Sequence, residues 1–181
     1  MKSKAILLLL ISAVMMACNQ NPQSAATSVT SAPVDGGQAT VQDDVSQQNI
    51  VQVAVGSANH STLVAALKAA EYVDALANAG PFTVFAPTND AFDQLPPGTL
   101  DDLVKPENQS KLRDILEYHV YIGVIRENMM RDGMKLNEAN TKNVTLGKNG
   151  DDFTVNGANI VATVPCSNGV IYVIDKVLIP E

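Results

Sequence analysis

The sequence predicts an α+β domain: a cluster of helices followed by a β-wedge or sandwich-like sheet. Three observations carry this expectation. Apolar residues recur at helical spacing between Ser61 and His119, and the period shortens to about two after Gly123. Asn-Gly pairs at 149–150, 156–157 and 168–169 punctuate the second half as hairpin turns do. Helices segregated from a run of hairpin-linked strands must pack on one side of the sheet those strands form.

The first 17 residues stand apart from that domain. MKSKAILLLLISAVMMA carries Lys2 and Lys4, then an apolar run from Ala5 to Ala17 too short to span a bilayer comfortably, and so reads as a signal peptide. Its end, MMAC, resembles the lipobox of bacterial lipoproteins, in which cleavage behind a small residue, here Ala17, leaves Cys18 as the acylated first residue. Met15 departs from the usual leucine. Ordinary secretion is the alternative, although Met15 is also bulky for an A-x-A cleavage site. A lipid anchor would hold the chain at the periplasmic face or the cell surface. Asn19 favours the outer membrane in a Gram-negative source.

Residues 19–48 contain no Lys, Arg or aromatic side chain and nothing to build a core, so 18–48 reads as the lipidated cysteine and a flexible tether. A coil of that length separates its ends by roughly 30 Å.

The folded domain is expected over 49–181. IVQVAV opens it, and Ser61 or Thr62 caps a helix through about Asn78 that carries Leu63, Val64, Leu67 and Ala70 and stops at Gly80-Pro81. A strand from Phe82 to Ala86, with both faces covered, runs into Pro87. Thr88 then caps a short helix bearing Ala91, Phe92 and Leu95. Thr99 with Asp102 starts another, and Pro106 opens a helix whose Leu112, Ile115, Leu116 and His119 share one apolar face. Strands such as FTV, ANIVATV and VIYVIDKVLI complete a meander.

Three stretches, FTVFAPTNDAF at 82–92, the Tyr118-His119 pair in ILEYHV and NGVIYVIDKVLIP at 168–180, match the fasciclin (FAS1) domain family in content, order and spacing. The chain resembles that family across 49–181. The resemblance implies a β-wedge with a helix cluster, in secreted or surface-anchored proteins that mediate adhesion or matrix contact, without catalysis. It makes Tyr118 and His119 candidate interaction or structural residues and gives Thr83, Phe85, Pro87, Thr88, Phe92, Asn168, Gly169 and Asp175 structural duties. Asp175 is the one carboxylate in the last motif and a candidate acceptor for buried donors. Two departures stand out. Tyr172 replaces a histidine frequent in the family, and Thr163 stands where an integrin-recognition segment has aspartate, so integrin recognition does not carry over.

Lys+Arg 12 against Asp+Glu 19 gives a net charge of -7, and the chain has no Trp, four Tyr and four Phe. That surface repels phosphate and has little to stack on bases, which excludes nucleic acid as a partner. With Cys18 lipidated, Cys166 has no disulfide partner and reads as a buried, inert thiol. His60-Ser61 and His119 lie in no nucleophile-elbow context. No histidine, cysteine or carboxylate spacing marks a metal site, and Asp101-Asp102 and Asp151-Asp152 read as solvated charges. Met129, Met130 and Met134 read as core filler. The expected function is therefore non-enzymatic, without a cofactor: a lipid-anchored module that binds a surface protein, matrix or polysaccharide. The alternative is a carrier for an apolar molecule such as a carotenoid.

Overall fold

The computed structural model describes residues 47–180; the expected signal peptide, Cys18 and the tether through residue 46 lie outside the described residues. Asn49 begins the fold by capping α1 (Ile50–Gly56): its side chain accepts from Gln52 N–H, and Gln52 accepts in return from Asn49 N–H. The β-branched run IVQVAV is thereby held helical, with Ile50, Val51 and Ala54 buried.

The helix expected through Asn78 is two helices, α2 (Ser61–Ala69) and α3 (Val73–Ala77). They part at Glu71, whose φ of 51° leaves the right-handed region while Tyr72 N–H reaches back to Leu67 C=O. The reversal turns Tyr72 into the core, where it is 8 % exposed. Neither Ser61 nor Thr62 caps α2 with its own side chain. The acceptor is Asn89 Oδ1, 3.0 Å from Thr62 N, brought in from a distant helix.

That helix is α4 (Asn89–Asp93), and Thr88 caps it through Ala91 N–H at 3.3 Å. α5 (Thr99–Leu103) follows, capped by the backbone of Gly98 at φ 83° rather than by a side chain. A 3₁₀ turn at Pro106–Asn108 leads into α6 (Gln109–Glu117). His119 was expected on α6; it lies just past its end, with His119 N–H closing on Leu116 C=O.

Seven strands form one sheet in the order β2-β1-β7-β6-β5-β4-β3. They are β1 (Phe82–Pro87), β2 (Val120–Ile122), β3 (Lys135–Asn137), β4 (Asn143–Asn149), β5 (Asp152–Val155), β6 (Ala158–Cys166) and β7 (Gly169–Ile174). Among the described residues only β1 and β7 pair in parallel. A single bridge between Tyr121 and Glu138 joins the two edges, so the sheet nearly closes on itself.

β1 and β7 are neighbouring interior strands and are covered on both faces. Val84, Ala86, Ile171 and Val173 face the helices. Phe85, Val170, Tyr172 and Ile174 face the interior of the wedge with Leu136, Val144, Leu146 and Val155. Period-two alternation thus divides one chain into two cores. The Asn-Gly signals mark real turns, in place at 156–157 and shifted by one residue at the other two. Asn156 and Gly157, at φ 45° and 78°, are the two turn residues between β5 and β6, as a type I′ turn demands. Between β6 and β7 the turn is Ser167-Asn168, and Gly169 already belongs to β7. A Cβ at Gly169 would intrude on the Phe82 carbonyl, so only glycine lets β7 approach β1 there.

Candidate functional site

Tyr118 and His119 occupy the corner where α6 hands over to β2, and both are buried, at 5 % and 3 % exposure. His119 Nδ1 lies 2.8 Å from Ile115 C=O, and Nε2 lies 3.0 Å from Leu178 N. A carbonyl only accepts and an amide N–H only donates, so the proton sits on Nδ1 and Nε2 is the acceptor. Burial pushes the imidazole pKa down to about 4, which keeps the ring neutral and this tautomer intact. The residue therefore fastens the end of α6 to the C-terminal segment. Its backbone carbonyl accepts from Phe85 N–H of β1 as well.

Tyr118 fastens the same corner to the meander. Its hydroxyl donates to Asn143 C=O at 3.0 Å and accepts from Asn156 Nδ2 at 2.9 Å. Asn156 also takes Thr145 N–H on its side-chain oxygen, so one turn residue serves β4, β5 and α6.

The other motif residues are distributed through the wedge rather than gathered at one cleft. Thr83 Oγ1 donates to Gly123 C=O and accepts from Ile125 N–H. Phe85 stacks against Tyr172, whose hydroxyl donates to Ile125 C=O at 2.8 Å. Pro87 ends β1, Thr88 caps α4 and Phe92 enters the helix-side core. Asp175 accepts from Asn159 N–H at 2.8 Å and Asn159 Nδ2 at 2.6 Å, fixing β6 to the end of β7.

Asn168 ties three segments: Oδ1 accepts from Ile50 N–H, and Nδ2 donates to Leu76 and Asn78 C=O. Asn168→Ala strands these groups at the root of α1 and is expected to cost about 2 kcal/mol. Urea unfolding of the full chain measures it, and a change under about 0.5 kcal/mol would show that water replaces the amide without loss.

Nothing resembling a catalytic triad forms at either histidine. His60 Nδ1 meets Ser57 Oγ at 2.8 Å rather than Ser61, and its buried Nε2 has no partner. The Cys166 thiol is buried, and desolvation raises its pKa to about 11, so it holds its proton at neutral pH. Of the three clustered methionines only Met130 is fully buried; Met134 packs against the wedge interior and Met129 is exposed.

Two features escaped the sequence reading. Glu138 is 2 % exposed with neither carboxylate oxygen hydrogen-bonded. The available signal is its spacing: Glu138 lies just past β3, two residues after buried Leu136, and continues the inward side of that strand. The second is a pocket of about 350 Å³ among α2, α4, α5, α6 and residues 177–179, with His119 in its lining. An open groove of about 1300 Å³ also runs beside Gln47, Arg126, Asn128, Thr163 and Asn168.

Over residues 58–180 the chain matches the model of the fasciclin domain. It belongs to the fasciclin family. This fasciclin chain is 50% identical over 139 residues to protein sll1483 of Synechocystis sp., covering 75% of each. It is 38% identical over 151 residues to the immunogenic protein MPB70 of Mycobacterium bovis, covering 80% of this chain and 75% of the other. Human periostin is 33% identical over 123 residues, 67% of this chain but 14% of periostin. A FAS1 domain pair from the insect cell adhesion molecule fasciclin I superposes with a TM-score of 0.67 at 18% identity, covering 76% of this chain and 52% of that one. That likeness establishes the FAS1 fold. Fasciclin domains are found in secreted and cell-surface proteins, where they generally serve adhesion or interaction rather than catalysis.

Proposed function

We propose that the protein is a lipid-anchored, extracytoplasmic adhesion module, held by an acylated Cys18 and a tether through residue 48, whose domain over 49–181 binds a surface protein, matrix or polysaccharide. The family match over 58–180 carries this reading. Tyr118 and His119 spend their polar atoms on internal bonds, so in this reading they act through the shape they maintain rather than by touching a partner.

The open groove supports a partner-binding role by its composition. Gln47, Arg126, Asn128 and Thr163 present amide, guanidinium and hydroxyl groups that suit sugar hydroxyls or peptide carbonyls. The root of the tether lies along it: Gln47 Nε2 donates to Pro165 C=O, and Ser167 N–H donates to Gln48 C=O.

Two measurements test the proposal. Mass spectrometry of the protein from native membranes is expected to show an acylated N-terminal Cys18, and Cys18→Ser is expected to release the chain from the membrane fraction. An unmodified, soluble wild-type chain would overturn the anchor. The released protein is expected to bind intact cells or matrix saturably, with the binding weakened by Arg126→Ala; absence of saturable binding would overturn the adhesion role.

A further inference from the structure

Three Asn-Gly pairs stand at turns of the sheet, and the fold holds their side chains very differently. An asparagine followed by glycine is prone to close on itself, because the glycine nitrogen has no side chain beside it to crowd its approach to the asparagine Cγ. Hydrogen bonds that hold the side-chain amide elsewhere oppose that closure, since they must break first. The same dipeptide is therefore reactive or inert according to what the fold does with its amide.

Two of the three are held. Asn156 Oδ1 accepts from Thr145 N–H at 2.8 Å, and its Nδ2 donates to the Tyr118 hydroxyl at 2.9 Å. Asn168 accepts from Ile50 N–H and donates to Leu76 and Asn78 C=O, and the glycine after it is pressed against the Phe82 carbonyl. Asn149 differs from both. It is exposed at the end of β4, and among the described residues its side chain makes no hydrogen bond. Gly150 is exposed too, with φ 67° and open space where a Cβ would stand. The Asn149–Asp152 pair is the last rung of the β4–β5 ladder, and such terminal rungs open at little cost.

We propose that Asn149 is a modification site, converted by spontaneous deamidation to aspartate and isoaspartate at the tip of the β4–β5 hairpin. The Gly150 nitrogen gives up its proton and bonds to Asn149 Cγ, the Cγ–Nδ2 bond breaks, and the amide nitrogen leaves as ammonia. Water then opens the cyclic imide. Attack at Cγ yields aspartate; attack at the main-chain carbonyl carbon yields isoaspartate, whose backbone runs through Cβ and Cγ and is one carbon longer. Either product makes the net charge of -7 one unit more negative. The new carboxylate lies opposite Asp152 and two residues from Asp151, and like charges facing each other across a strand pair destabilise it. Conversion therefore loosens the tip, while the fully buried pair Leu146 and Val155 keeps the base of the hairpin closed. None of this depends on the adhesion reading.

The test ages the full chain in neutral buffer and follows each asparagine by peptide mass spectrometry, with an isoaspartyl methyltransferase assay for the rearranged product. Asn149 is expected to convert about ten-fold faster than Asn156 or Asn168, whose amides must first give up their hydrogen bonds. In urea the three sites are expected to convert at similar rates, because only the fold tells them apart. Tyr118→Phe removes the hydroxyl that Asn156 Nδ2 uses, and it is expected to speed Asn156 several-fold while Asn149 keeps its wild-type rate. If that variant unfolds, all three sites accelerate together, and the wild-type rates with and without urea decide alone. Equal native rates at the three sites, an Asn149 that keeps its amide while the urea sample reacts, or an unchanged Asn156 rate in folded Tyr118→Phe would each overturn the proposal.

Discussion

His119→Ala is expected to lower the unfolding free energy by about 3 to 4 kcal/mol. The ring is 3 % exposed, and its removal strands Leu178 N–H and Ile115 C=O at about 1 to 3 kcal/mol for unsatisfied buried groups, with a cavity added. The first loss falls on the C-terminal segment, because among the described residues Leu178 N–H has no other acceptor. Chemical denaturation of wild type and variant measures the total, and hydrogen exchange at the Leu178 amide locates it. Exchange there is expected to accelerate far more than at the strand amides of β7. A variant with wild-type stability and unchanged exchange would show that the imidazole is dispensable to the corner. Loss of cell binding in that same variant would make it a contact residue instead.

The parts of this fold written locally were legible in the sequence. Asn156-Gly157 needs only its own backbone preferences to turn the chain, and Thr88 caps α4 from one turn away. The alternation in Phe82–Ala86 and in VIYVI needs only the pleat. What escaped depends on residues far apart. Asn89 caps α2 from 27 residues downstream, which no reading of Ser61 or Thr62 reveals. Glu71 breaks the expected long helix without a glycine to announce it, because burying Tyr72 outweighs the strain of a left-handed residue. At the corner, periodicity placed His119 on the buried side. Its bond to Leu178 spans 59 residues, and only the closed wedge brings the two together.

Glu138 presents the opposite case, a charge that local sequence makes look solvated. KLNEANT has the composition of an exposed turn, yet Glu138 points inward two residues after Leu136, where the bridge to Tyr121 closes the sheet. Backbone demands fix it there: its N–H donates to Lys142 C=O and the next residue's N–H to Val120 C=O. The side chain follows the backbone into a place that gives its carboxylate no hydrogen bond.

Glu138→Gln is therefore expected to stabilise the protein at pH 8 by on the order of 3 to 5 kcal/mol and to change little at pH 4. Desolvation raises the carboxyl pKa from 4.5 to about 8 in the fold. Below pH 4.5 both states carry the proton, and ionisation adds nothing to the cost of burying the group. Between pH 4.5 and 8 the unfolded chain releases its proton and the folded chain does not, so stability falls by about 1.4 kcal/mol per pH unit. His119 has the opposite slope, since its folded pKa is lowered from 6.5 to about 4 and stability is lost as pH falls through that window. The two contributions oppose each other from pH 4.5 to 6.5, and from 6.5 to 8 only that of Glu138 remains. Removing the carboxylate should leave a profile that rises from pH 4 to 6.5 and then levels, where the wild type declines toward pH 8. Unfolding free energies by denaturant at half-unit pH intervals decide it. Parallel curves for the two proteins would mean that Glu138 is charged at neutral pH and finds compensation that its buried position does not reveal.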